Sequence, residues 1–269
     1  MKSFRAVLET GKPQLGLCIM YPSPGVIERI GSDWDWVWID GQHGEMGYQD
    51  VLAMVRACNL IQRPAFVRVP GHDFGAIGLA LDTGADGVIV PLVDSVEEAR
   101  AVVKAAKFPP LGGRSYGGRR PIDFRGRLYS DTANSDTLLV AQIESPDAIA
   151  NAEPIAALPG VDALFLGPDD IMLRRGAAMN APRSMETLGK DIAAVVGACR
   201  KHGKFAVTVG FGPEMIKLCA GAGVRMIVCG GDVPFLANGS KQAAAEARAV
   251  IEGVKGAQAG GKEKAGSPY

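Results

Sequence analysis

The sequence carries no excess of either charge: 29 Lys and Arg stand against 29 Asp and Glu in 269 residues, a formal net charge of zero. Nucleic acid and anionic membrane surfaces are held by clustered positive charge, so neither is expected as a partner. No apolar run approaches the ~18 residues that a membrane span requires. The opening MKSFRAVLETGK has neither the apolar stretch nor the small-residue cleavage site of a secretory signal, and the expected location is the cytoplasm. Histidine is scarce: His43, His72 and His202 lack ligand spacing, which disfavours a zinc site. The cysteines (Cys18, Cys58, Cys199, Cys219 and Cys229) are odd in number and form no CxxC pair, so they read as free, mostly buried thiols. Glycine is abundant but shows no Gly-X-Y period, which excludes collagen and leaves the turns of many short connections.

What is present is a repeated alternation. Short, continuous apolar runs flanked by Gly, Pro or Asp occupy 14–20, 36–40, 64–69, 87–90, 139–143, 163–166, 205–209 and 226–229. Continuous rather than alternating runs are expected of strands buried on both faces. Between them lie helix-length amphipathic segments at 25–30, 48–59, 185–202 and 213–222. Ser95 with Glu98 forms a capping box, and Ser145-Pro146 puts a cap and an N1 proline in their preferred places. Eight rounds of strand and helix predict a single-domain α/β fold, the TIM (β/α)8 barrel, over 1–254. A doubly wound open sheet is the competitor, but the segment after the first strand reads CIMYPSPG and not GxGxxG. Residues 255–269 are polar and Gly-rich and are expected to be a disordered tail. The stretch 108–137 is Arg-, Gly- and Pro-rich without periodicity; it is expected on the barrel rim as a functional or locally disordered loop.

In such barrels chemistry collects at the carboxyl ends of the strands. Ionisable groups fall there: Asp40-Gly41-Gln42-His43 after the second strand, Arg68 at the third, Gln142-Ile143-Glu144 at the fifth, and Gly167-Pro168-Asp169-Asp170 after the sixth. Each has a plainer reading. Glu144 is also helix punctuation, Asp170 a helix cap, Arg68 a surface residue with a buried stem, and Asp82 a solvated helix residue. Glu144 and Asp170 lie one βα unit apart, on adjacent strands, and two neighbouring carboxylates repel unless a cation lies between them. Oxygen ligands without Cys or a His pair suit Mg²⁺ or Mn²⁺, with Co²⁺ as a third candidate.

At these residues the sequence resembles the HpcH/HpaI aldolases, the metal-dependent class II pyruvate aldolases. The stretches that carry the resemblance are WDWVWIDGQHGE (34–45), FVRVP (66–70), LDTGADGVIVPLVDSVEEAR (81–100), QIESPDAIAN (142–151) and GVDALFLGPDDI (160–171), in order and correctly spaced. The resemblance implies that Glu144 and Asp170 hold a divalent metal that chelates pyruvate or a related 2-oxo acid. It implies that Arg68 lies against the keto oxygen and that His43 and Asp82 form an acid/base dyad. Gln142 neighbours the metal waters, backbone N–H groups around the Gly167-Pro168-Asp169 turn receive the substrate carboxylate, and Val209 lines the aldehyde pocket. The implied reaction is reversible aldol cleavage of a 4-hydroxy-2-oxo acid to pyruvate and an aldehyde through a metal-chelated enolate. A hexamer is also implied, with a terminal helix, here 242–254, exchanged between subunits.

The residue types suit that chemistry, since a metal and a guanidinium stabilise enolate charge where it develops. Oxaloacetate decarboxylation, or condensation of the enolate with a larger acceptor, uses the same parts. A barrel that binds a 2-oxo acid or a partner without turnover is the non-catalytic alternative. Three departures bear on specificity: Gln42 stands where relatives commonly carry Glu, Cys18 where many carry an aromatic residue (implying a roomier pocket), and the 112–127 loop, which borders the acceptor site in relatives, has its own sequence.

Overall fold

The computed structural model describes residues 3–260. Its strands are β1 (Gln14–Ile19), β2 (Trp36–Asp40), β3 (Ala65–Arg68), β4 (Gly87–Val90), β5 (Leu138–Ile143), β6 (Ala163–Leu166), β7 (Phe205–Val209) and β8 (Met226–Gly231). All neighbours are parallel, and β8 pairs with β1, closing the barrel in sequence order. The helices are α1 (Phe4–Leu8), α2 (Pro24–Ile30), α3 (Tyr48–Leu60), α4 (Phe74–Asp82), α5 (Val96–Ala106), α6 (Arg119–Arg125) and α7 (Ser130–Asp136). They continue with α8 (Pro146–Ala150), α9 (Ala152–Ala156), α10 (Pro168–Arg174), α11 (Met185–Lys201), α12 (Pro213–Ala222) and α13 (Asp232–Gly260). The expected caps form: Ser95 and Glu98 complete their box, and the Ser145 hydroxyl accepts from the N–H of Ala148 ahead of Pro146 at N1.

Side-chain parity along the strands organises the core. Val37, Ile39, Val67, Val88, Ala141 and Ile143 face outward into the layer beneath the helices. Trp36, Trp38, Phe66, Ile89, Val140 and Phe165 face inward and fill the barrel itself. α1 closes the amino-terminal end, where Phe4 meets Phe66 edge-on at 5.6 Å. The rings fit because Gly87 faces Phe66: a β-carbon there would stand 2.2 Å from the ring. Continuing the inward series by one step at the carboxyl end brings Asp40 after Trp38 on β2, Arg68 after Phe66 on β3 and Gln142 after Val140 on β5. Strand alternation, not loop geometry, places these side chains.

The chain divides after Gly231 into the barrel and a second unit that contains α13. This helix runs past the 254 boundary expected from sequence; residues 261–269 of the expected tail lie outside the described residues. Among the described residues no helix is long and apolar enough to cross a membrane. The stretch 108–137 is ordered into α6, a 3-10 turn at Arg127–Tyr129 and α7, pinned by Phe108, Tyr129 and Ala133. It connects α5 to the start of β5, so it lies at the amino-terminal end of the barrel, away from the strand ends where Arg68 and Glu144 sit.

Candidate active site

Two adjacent strands supply the first pair. Asp40 and Arg68 are register partners on β2 and β3. Arg68 donates from Nε to Asp40 Oδ1 (2.9 Å) and from Nη2 to Oδ2 (2.6 Å), a bidentate fork with both side chains buried. The guanidinium carbon also lies 4.5 Å above the centre of the Trp38 ring. Burial pushes the Asp40 carboxyl up, but the Arg68 hydrogen bonds and charge, with the backbone N–H groups of His43 and Gln42, outweigh it and hold it below the usual aspartate value. Nε and one N–H of Nη2 are spent on Asp40, so both N–H groups of Nη1 and the second of Nη2 are left to meet a ligand.

Asp40 also builds the turn that carries His43. Its Oδ1 accepts from the backbone N–H of Gln42 (3.0 Å) and of His43 (3.2 Å). Gly44 is required there, since a β-carbon would stand 2.2 Å from the Asp40 carbonyl oxygen. His43 is exposed at the barrel mouth, and Gln42 is half-buried with Oε1 unpartnered among the described residues. Asp40 was legible only as the start of the turn; its signal was its position, the last inward step of β2 beside Arg68.

The second pair comes from β5 and β6. Glu144, 2% exposed, follows β5; its Oε1 accepts from the Leu92 backbone N–H at 2.8 Å, and its Oε2 accepts from the Gln142 amide. Asp170 lies in the first turn of α10. Burial first, and then the negative charge of Asp170, raise the Glu144 carboxyl above its ordinary value, against the Leu92 N–H that lowers it. Leu92 sits at φ +57°, a left-handed conformation rare for a branched residue, and this turns its N–H toward Glu144. Nothing in the sequence around Leu92 signals that role.

This donor set fits a hard divalent cation. Mutual repulsion of two acids is relieved by a cation between them, and Gln142 Oε1 is a buried acceptor with no partner among the described residues. Gly167 lets Glu144 and Gln142 pack close against the backbone: a β-carbon there would stand 2.6 Å from Glu144 Oε2 and 3.1 Å from the Gln142 amide nitrogen. Among the described residues no group of three or more His, Cys, Asp and Glu converges, so substrate and water would complete the shell.

The expected carboxylate seat is narrower than the sequence implied. The Gly167 N–H donates to the Ile143 carbonyl at 3.0 Å, and Pro168 has none. Asp169 and Asp170 are left with first-turn N–H groups for which α10 has no carbonyl. The Asp169 side chain is exposed and bound by Arg183, whose Nη1 also donates to the carbonyls of Met179 and Ala181. Val209 ends β7 half-buried, packed against the inward cluster.

Asp82 is not brought to His43. It ends α4, which descends to the amino-terminal end of β4, and it pairs with buried Arg114 at 2.8 Å. His43 stands at the opposite, carboxyl-terminal end of β2. Within one chain the two form no dyad, and the 112–127 loop, beside Asp82, borders no part of this chain's own site. Cys18 leaves little extra room, because its register partner Trp38 fills the barrel beside it and meets Phe165 edge-on at 5.3 Å.

Residues 20–238 match the family model described as HpcH/HpaI aldolase/citrate lyase. The chain is 36% identical to a 4-hydroxy-2-oxovalerate aldolase of Novosphingobium aromaticivorans, over 89% of this chain and 92% of the relative. It is 33% identical to a 2-dehydro-3,6-dideoxy-6-sulfogluconate aldolase of Pseudomonas putida, over 78% and 83%. A solved HpcH/HpaI aldolase/citrate lyase family protein from Burkholderia cenocepacia superposes with a TM-score of 0.80 at 28% identity, covering 90% of this chain and 99% of that one.

Proposed function

The chain belongs to the HpcH/HpaI aldolase/citrate lyase family, and from that membership we propose that it is a carbon–carbon lyase interconverting a 4-hydroxy-2-oxo acid with pyruvate, or a related 2-oxo acid, and an aldehyde. The observation that carries the reading is the convergence at one barrel mouth of a carboxylate-held guanidinium and two mutually repelling acids. Glu144 and Asp170 would hold the cation, Mg²⁺ or Mn²⁺ by ligand hardness, with Co²⁺ a third candidate. When bound, it supplies Lewis-acidic positive charge for the carboxylate and keto oxygens of the 2-oxo acid.

The protein's own groups then divide the work. In cleavage, His43 removes the C4 hydroxyl proton, the C3–C4 bond breaks, and the aldehyde departs. The electron pair passes into the pyruvate enolate, whose oxygen carries the new charge. Arg68, fixed in place by Asp40 and Trp38, offers Nη1 to that oxygen before the charge develops, so no reorganisation is needed at the moment of reaction. Protonation at C3 gives pyruvate; the reverse sequence is condensation. The free N–H groups of Asp169 and Asp170 suit the keto acid's carboxylate, the Gln142 amide steadies Glu144 beside it, and Val209 borders the aldehyde side.

His43 needs a partner to orient it, and Asp82 of the same chain stands at the wrong end of the barrel. The dyad therefore requires an assembly, a hexamer by family resemblance, in which Asp82 of the partner subunit approaches His43. The deciding experiment is turnover of 4-hydroxy-2-oxo acids by purified protein with Mg²⁺, Mn²⁺ or Co²⁺. Failure to cleave or form any such aldol across a panel of aldehydes would overturn the reading.

A further inference from the structure

The chain leaves β4 at Val90 and passes through Pro91 and Leu92 before it is tied down again. Val93 donates its N–H to the Gln142 carbonyl at 3.1 Å. Asp94 accepts from the Ser145 hydroxyl at 2.7 Å and, through its own carbonyl, from the Asn151 amide at 2.8 Å. The Pro91–Leu92 peptide between these anchors lies beyond the strand, and both of its polar ends are met by side chains. The Leu92 N–H donates to Glu144 Oε1 at 2.8 Å, and the Pro91 carbonyl accepts from His72 Nε2, also at 2.8 Å. A carbonyl oxygen only accepts, so Nε2 of His72 carries a proton here.

Planarity couples the two ends. A trans peptide points its C=O and its N–H to opposite sides of one rigid plane, so a group that holds the carbonyl also aims the N–H. Aim is needed, because Leu92 stands at φ +57°, where a residue with a β-carbon is disfavoured. Turning the peptide plane over would return Leu92 to the extended region and leave Val90 and Val93 in place. It would also carry the N–H away from Glu144 and present a carbonyl oxygen to that carboxylate. The contacts to Glu144 and to His72 oppose this relaxation. His72 is itself well anchored: it is half-buried in the loop after β3 and precedes Asp73, whose side chain caps α4 by accepting from the Ala76 N–H at 2.7 Å.

We infer that His72 is a positioning residue of this site: it holds the Pro91 carbonyl and thereby keeps the Leu92 N–H on Glu144, a proposed ligand of the cation. His72 touches neither the cation nor the keto acid, and the inference rests on the reading of Glu144 as a ligand. It gives a task to a histidine that has no metal-ligand spacing, and to a backbone conformation that a leucine adopts at a cost.

Mn²⁺ affinity of the purified protein, followed by electron paramagnetic resonance without substrate, is the test. Groups that orient a metal ligand from behind are worth about 10–100-fold in affinity, and His72→Ala is expected to weaken Mn²⁺ about tenfold. His72→Gln places an amide N–H at a similar reach and is expected to bring affinity back to within about threefold of wild type. Leu92→Gly supplies a readout that a general loosening of the loop would not move. Glycine adopts positive φ as readily as negative, so the peptide no longer gains by turning over, and in that background His72→Ala is expected to weaken Mn²⁺ less than about threefold. Wild-type affinity in His72→Ala, no recovery in His72→Gln, or an equal loss from His72→Ala in both backgrounds overturns the inference while the cation site stands. Absence of Mn²⁺ binding by the wild type overturns the reading of Glu144 and the inference with it.

Discussion

Arg68 grips Asp40 across one register step of the barrel, with Nε 2.9 Å from Oδ1 and Nη2 2.6 Å from Oδ2 and both side chains nearly out of solvent. A buried pair of this kind contributes less to net stability than its geometry suggests, because both ions lose water. Removing one partner is another matter. Asp40→Asn leaves a buried guanidinium without its counter-charge and is expected to cost about 3–5 kcal/mol in urea unfolding. Arg68→Lys removes the fork but keeps the charge, and kcat/KM is expected to fall about 10²–10³-fold. Loss of stability in Asp40→Asn below 1 kcal/mol would show that water already reaches the pair.

The same pair sets an acid response. Burial raises the Asp40 carboxyl, yet Arg68 and the turn N–H groups bring it below its ordinary value of 3.8. A carboxyl depressed by folding contributes stability that is complete above the unfolded value and is lost as pH falls toward the native one. Urea midpoints should therefore decline from about pH 4 downward, and Asp40→Asn should decline less steeply over that window. Identical slopes in the two proteins would assign the acid response to other carboxylates.

Much of this is legible in the sequence. Runs of continuous apolar residues gave the strands within a residue or two at most ends, because burial on both faces leaves a plain mark. Arg68, Gln142 and Glu144 stood out because a charged or amide group ending such a run needs a reason. Asp40 is legible only as the start of the turn before His43, since its bond to Arg68 depends on register between strands, which one strand's sequence does not display. Leu92 was invisible: its backbone, not its side chain, meets Glu144. The 108–137 stretch misled because its helices are too short to show a period, and because its place after α5 puts it at the amino-terminal rim, beside Asp82 and far from His43.

The cation site is testable without turnover. Glu144→Gln and Asp170→Asn each remove one negative oxygen donor, and Mn²⁺ binding followed by electron paramagnetic resonance should weaken more than tenfold in either. Gly167→Ala changes no charge, but its β-carbon would stand 2.6 Å from Glu144 Oε2. It is expected to displace that carboxylate and weaken Mn²⁺ comparably. Unchanged binding in all three variants would place the cation elsewhere.

His43 separates two reactions of one enolate. Aldol cleavage needs a base for the C4 hydroxyl; decarboxylation of oxaloacetate releases CO₂ and leaves the enolate without that proton transfer. His43→Ala is expected to lower aldol cleavage about 10²–10⁴-fold while leaving oxaloacetate decarboxylation within a few-fold. Equal loss in both assays would mean that His43 binds the keto acid and does not act on the hydroxyl.

The distance between His43 and Asp82 within a chain yields the sharpest test of assembly. His43 follows the carboxyl end of β2, whereas Asp82 closes α4 near the amino end of β4 and pairs with Arg114. If each site is completed by Asp82 of the partner subunit, His43→Ala and Asp82→Ala proteins are both nearly inactive alone. Dissociated together and allowed to reassemble, they form some interfaces in which intact His43 meets intact Asp82, and aldolase activity returns. Mixing without dissociation restores nothing, which controls for contamination. Failure of the reassembled mixture to regain activity, with mixed assemblies verified by mass spectrometry, would remove Asp82 from the acid/base step and leave His43 oriented by the Asp40 turn alone.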